Sequence, residues 1–167
     1  MDKKYLFYFG SCFGQKFMGQ LLDKAMSLAI DKNNKVLFAY CGGINELCTH
    51  NLRGSKPMCR LCYSCTKAIL KKYNIESVAL YDYKSDNTVT FEYSSSDELK
   101  QITYHDVCIG LSIMSCYISL TRNMNPSLNG DNRKYFDAHL QQNVRFVDAL
   151  YRLIEDYRPN EIIGHNG

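Results

Sequence analysis

Tyr5-Leu6-Phe7-Tyr8-Phe9, stopped by Gly10, and Val36-Leu37-Phe38-Ala39-Tyr40, stopped by Cys41-Gly42-Gly43, decide how this chain is built. Each is a short, unbroken apolar and aromatic run, the pattern of a strand covered on both faces. Between them Phe17, Leu21, Ala25, Leu28 and Ala29 recur at helical spacing, and Asn33-Asn34 closes that helix. Strand, helix and strand in this order form a βαβ unit, for which parallel strands and a right-handed crossover are expected.

Working outward, residues 44–57 read as a loop, and Pro57 suits the first turn of a helix running to about Tyr73. Ser77–Tyr83 is a third candidate strand, and Thr88–Tyr93 a short one within the polar stretch Lys84–Ser96. Ser96 or Asp97 then caps a helical stretch with Val107, Leu111, Met114 and Ile118 on one face. After a loop at Asn123–Asn132, the longest helix is expected from Arg133 to Asp156, with Phe136, Leu140, Val144, Val147, Leu150, Tyr151 and Ile154 as its apolar stripe. Pro159 ends it and Glu161 begins a strand. This alternation predicts an α/β three-layer sandwich with a mainly parallel sheet. No internal repeat or low-complexity linker interrupts it, and 167 residues suit one domain. The last strand reaches His165-Asn166-Gly167 with no closing helix, so the chain is expected to be the N-terminal part of a longer protein.

Composition narrows the classes. A hydrophobic content of 46% with 22% charged residues is that of a globular chain. The net charge of +3, with lysines and arginines scattered, does not make the basic stripe of a nucleic-acid binder. No apolar run is long enough to span a membrane, and Tyr5–Phe9 is too short for a signal-peptide core. A cytoplasmic location is therefore expected, in which the eight cysteines stay as thiols or bind metals.

Four features bear chemistry. Cys59-Arg60-Leu61-Cys62-Tyr63-Ser64-Cys65, with Cys41 and Cys48 upstream, suits an iron–sulfur cluster or zinc held by thiolates. The same residues on a helix form part of a buried stripe, and a regular helix separates the first and third sulfurs by about 9 Å along its axis. Both readings stay open, whereas Cys12, Cys108 and Cys116 sit on apolar segments and read as packing residues. Gly10-Ser11-Cys12-Phe13-Gly14 opens the first helix, where Gly10, Ser11 and Gly14 form either a ligand-binding loop or an ordinary βα turn. It matches neither the dinucleotide nor the phosphate-loop pattern. Arg122 is suited to a phosphate or carboxylate, and equally to an exposed place on a packed helix. His165 and Asn166 fall at a strand end, where open parallel sheets bind ligands; a histidine there serves acid–base chemistry or structure.

In order along the chain, the Gly10 turn, Cys41-Gly42-Gly43, Cys48, Asn51-Leu52-x-Gly54, Cys59-x-x-Cys62, Ile109-Gly110-Leu111, Ser119-Leu120-Thr121-Arg122 and Asn166-Gly167 resemble the N-terminal region of bacterial capsule or surface-polysaccharide biosynthesis proteins, which are similar to GT-B glycosyltransferases. The resemblance implies a Rossmann-like domain, the acceptor-side half of a GT-B-like architecture, with a nucleotide-sugar donor bound by a second, C-terminal domain. It implies a glycan or lipid-linked acceptor, peripheral association with the inner face of the cell membrane, and His165 as a candidate base. The rival expectations are a cysteine-rich metal- or cluster-binding module and a non-catalytic interaction domain.

Overall fold

The run at Tyr5–Phe9 lies within strand β1, Lys3–Phe9, and the second run within β2, Asn34–Tyr40, paired in parallel from Lys3↔Asn34 to Phe9↔Tyr40. The computed structural model describes residues 3–10, 15–45, 48, 51 and 54–164, with the side chains of 15–17 left aside. Helix α1, Gln15–Ala29, joins the two strands, burying Met18, Leu21, Leu22 and Ala25 at the spacing of one helical face.

Helix α2, Lys56–Lys72, leads to β3, Glu76–Ala79, which pairs in parallel with β2. β4, Glu161–Gly164, pairs in parallel with β1 on its other side. The order β3-β2-β1-β4 is thus all-parallel and reverses direction of growth at β1, as a Rossmann-like sheet does at its ligand-binding switch point. Because side chains alternate across a strand, Tyr5, Phe7, Val36 and Phe38 face a core shared with α1 and with Leu70 of α2. Leu6, Leu37 and Ala39 alternate with them and are equally buried. The expected continuous, two-sided strands are therefore what the sheet contains.

The chain is organised as two compact units, Met1–Tyr83 with Ala149–Gly167, and Lys84–Asp148. The sheet belongs to the first. In the second, α3, Ser96–Gln101, is followed by α4, Ile109–Thr121, and by the start of α5, Gly130–Tyr157. Leu99, Ile109, Ile113, Met114 and Tyr117 pack with Phe136, Leu140, Val144 and Val147 in a separate core.

Three local expectations are corrected. The helical stretch from residue 97 is broken, because Tyr104 and Val107 exchange backbone hydrogen bonds across a turn with His105 and Asp106 at positive φ. Val107 and Leu111 are consequently exposed, while Ile109, Ile113 and Tyr117 carry the buried face. Residues 80–83, expected to continue β3, form a single 3-10 turn. Thr88–Tyr93 is not part of the sheet: the Gln141 side-chain amide donates to the Val89 carbonyl and accepts from its N–H at 3.1 Å, doing the work of a neighbouring strand.

Candidate functional site

The carboxyl ends of β1 and β2 place Gly10 and Cys41-Gly42-Gly43 at one edge of the sheet. Gly42 has φ +64° and a Cβ there would lie 2.6 Å from the Ala79 Cβ, so this turn accepts no side chain. Gly43, at φ +96°, completes the reversal.

Beneath this turn lies a small cavity of about 30 Å³, lined by Gly10, Cys41, Cys48, Asn51, Cys59 and Cys62. Cys59 and Cys62 reach it from α2, which stays regular through all three cysteines of the Cys59–Cys65 run. A step of three residues falls about 60° short of a full turn at 3.6 residues per turn, so Cys65 rotates away from the cavity and packs on the core of the sheet. The metal-ligand expectation for Cys41, Cys48, Cys59 and Cys62 thus meets one cavity, and that for Cys65 does not. Among the described residues no three of His, Cys, Asp or Glu stand close enough to hold an ion as placed. None of the seven described cysteines is in a disulfide; Cys116 is half-buried, whereas Cys108, expected to pack, is exposed at the start of α4.

The sulfurs are set among N–H donors. Burial pushes the Cys41 thiol up, while backbone N–H groups of Asn45 and Gly43 donate to its sulfur and oppose that shift. Asn51, buried at 6% exposure, donates from Nδ2 to the Cys59 Sγ at 3.0 Å and to the Ser55 carbonyl at 3.0 Å. Its Oδ1 accepts from the Ser55 N–H at 2.8 Å, fixing the entry to α2. Burial first, then the sulfurs of Cys41 and Cys48, push the Tyr8 phenol up. Tyr40 is pushed up to about 12 by burial and by its hydrogen bond to Tyr63.

A wider cleft of about 530 Å³ adjoins this cavity and shares Gly42, Gly43, Cys59 and Tyr63 with it. Its other walls include Lys56, Arg60 and Tyr81. Lys56 and Arg60 are one turn apart at the start of α2, and neither has an acidic partner among the described residues. Cations beside aromatic rings and open glycine backbone suit an anionic, ring-bearing ligand. Sequence reading missed these residues; the signal was a Lys-Pro helix start followed by Arg60 on the same face.

The other expected site residues fare differently. Gly10 lines the thiol cavity. Ser11, Gly14, His165 and Asn166 lie outside the described residues. Arg122 belongs to the second unit, where it is exposed and ends α4 in the left-handed conformation, φ 59°. That unit holds its own polar centre at Asp148, whose Oδ2 accepts from Ser85 Oγ and, at 2.8 Å, from Asn87. Its Oδ1 accepts from the Tyr104 hydroxyl at 2.8 Å, and the His105 Nε2 stands at 3.7 Å. Burial raises the carboxyl, but the hydrogen bonds outweigh it and hold Asp148 below the usual carboxylate range.

No protein family, curated protein or solved structure matches the chain in comparison. No helix among the described residues is long and apolar enough to cross a membrane.

Proposed function

We propose that this chain is the acceptor-side domain of a GT-B-like glycosyltransferase of capsular or surface polysaccharide biosynthesis. In this reading the cleft over Gly42 and Gly43 receives the phosphate-bearing end of a glycan or lipid-linked acceptor. The observation that carries it is the pairing of Lys56 and Arg60, without acidic partners among the described residues, with the Tyr63 and Tyr81 rings at the carboxyl edge of a parallel sheet. An arginine and a lysine bind phosphate oxygens by charge-assisted hydrogen bonds, and an aromatic face packs against the apolar face of a sugar ring. The base that takes the acceptor's hydroxyl proton is assigned to His165, and the nucleotide-sugar donor to a second domain; neither assignment rests on the described residues.

Calorimetric titration with glucose 1-phosphate, glucose and inorganic phosphate tests the reading. The sugar phosphate is expected to bind more tightly than either half alone, and Lys56→Ala with Arg60→Ala to abolish the difference. Equal binding of all three, or binding untouched by those substitutions, contradicts it.

A further inference from the structure

We infer that the open edge of residues 86–92 takes up an extended segment of another protein as an added antiparallel strand, and that this segment carries basic side chains six residues apart. The inference is independent of the sugar-transfer reading, because every residue it uses lies in the unit Lys84–Asp148.

Residues 84–93 run without a turn or bend, and their side chains alternate. Ser85 and Tyr93 are buried and Val89 and Phe91 half-buried, while Asp86, Thr88, Thr90 and Glu92 are exposed. This is the pattern of a strand, yet among the described residues no strand pairs with it. One edge is taken by α5. Gln141 bonds both polar groups of the Val89 backbone, and the Arg133 guanidinium donates to the Tyr93 carbonyl at 3.1 Å. In a strand the N–H and C=O of one residue share an edge, and those of the next residue lie on the opposite one. The backbone groups of Thr88, Thr90 and Glu92 therefore form the other edge, and among the described residues none of them makes a hydrogen bond. Such a row of solvent-facing donors and acceptors is a template for a further strand.

Charge names the occupant. Exposed strand edges are ordinarily guarded by lysine or proline, and this one has neither, since residues 85–99 contain no lysine, arginine or proline. Asp86 and Glu92 instead close the two ends of the exposed row. Arg133, the cation bonded to this stretch, is itself paired with Asp137 at 3.0 Å. A second copy of the chain fits poorly. Antiparallel pairing of the whole row sets Asp86 of each chain against Glu92 of the other, and like charges directly opposite destabilise a sheet. A lysine or arginine opposite each acid turns both pairs attractive, and the two positions stand six residues apart. Apolar side chains at the alternate positions of the added strand fall on the face of Val89 and Phe91, and extend the core on which those two are only partly buried.

The experiment titrates the isotope-labelled full chain with the peptide acetyl-Lys-Val-Thr-Val-Thr-Val-Lys-amide. The amides of Thr88, Thr90 and Glu92 should shift and exchange with solvent roughly tenfold more slowly, while that of Val89, already bonded to Gln141, changes little. Replacing both peptide lysines by glutamate should weaken binding roughly tenfold or more through the two reversed charge pairs. N-methylating the two peptide threonines, whose N–H groups face the edge, should abolish it. Thr90→Pro removes an edge donor that the fold itself does not use and should weaken binding likewise. If that variant fails to fold by circular dichroism, the peptide variants on the unaltered chain decide. Asp86→Lys with Glu92→Lys should transfer the preference to the glutamate peptide. Absence of shifts at these amides, equal binding of the lysine and glutamate peptides, binding untouched by N-methylation, or slowed exchange that rises with chain concentration and needs no peptide overturns the proposal.

Discussion

The Asn51 side-chain amide donates to the Cys59 sulfur at 3.0 Å, and the same side chain accepts from Ser55 at the entry to α2. One buried asparagine therefore ties the loop before the helix to the first cysteine on it. Asn51→Ala removes these bonds and leaves the Ser55 N–H without its acceptor, which costs about 1–3 kcal/mol. Urea denaturation of the metal-free chain reads this directly; a loss well below that range contradicts the bracing role.

Asp148 links Ser85, Asn87 and Tyr104 through its carboxylate. Because its folded pKa is depressed, its contribution is present above the ordinary carboxylate range and is lost as pH falls through the folded value. The unit Lys84–Asp148 should therefore weaken on acidification below about pH 4. Asp148→Asn should cost about 1.5–3 kcal/mol at neutral pH and flatten the acid limb. An unchanged acid limb in Asp148→Asn, followed by tyrosine fluorescence, is the contrary result.

Gly110 sits where α4 meets α3, and a Cβ there would come within 1.8 Å of the Leu99 carbonyl oxygen. Backbone, not a flexible side chain, blocks the space. Gly110→Ala should destabilise by about 1–3 kcal/mol or more through forced backbone movement, read as a fall in the denaturation midpoint. A midpoint matching the parent chain disproves the close approach.

Cys108 is exposed, whereas Cys41 is shielded by the cavity and its thiol is pushed up by burial. Thiolate is the reactive form. Brief iodoacetamide treatment near neutral pH should therefore label Cys108 well before Cys41, as read by peptide mass spectrometry. Equal labelling argues against the buried placement of Cys41.

The sheet was legible because its strands are covered on both sides. Tyr5–Phe9 and Val36–Tyr40 need no alternation, and Gly10 and Gly42 mark their ends. The break between α3 and α4 was not legible, since its left-handed turn is made by His105 and Asp106, without a glycine to announce it. Thr88–Tyr93 does alternate as a strand does. Its partner is the Gln141 side chain, 52 positions from Val89 and beyond any local pattern. The cysteine run was legible as a thiol cluster, but its third member turned inward once α2 proved regular. Lys56, Arg60 and Tyr81 share a wall only because α2 begins, and β3 ends, at the same edge of the sheet.

Amide chemical shifts of the isotope-labelled chain, titrated with glucose 1-phosphate, report on whether the glycine-floored cleft binds a phosphorylated sugar. Saturable shifts are expected at Gly42, Gly43, Gly54, Lys56, Arg60 and Tyr81. Shifts confined to the unit Lys84–Asp148, or none at any of these residues, are the contrary result.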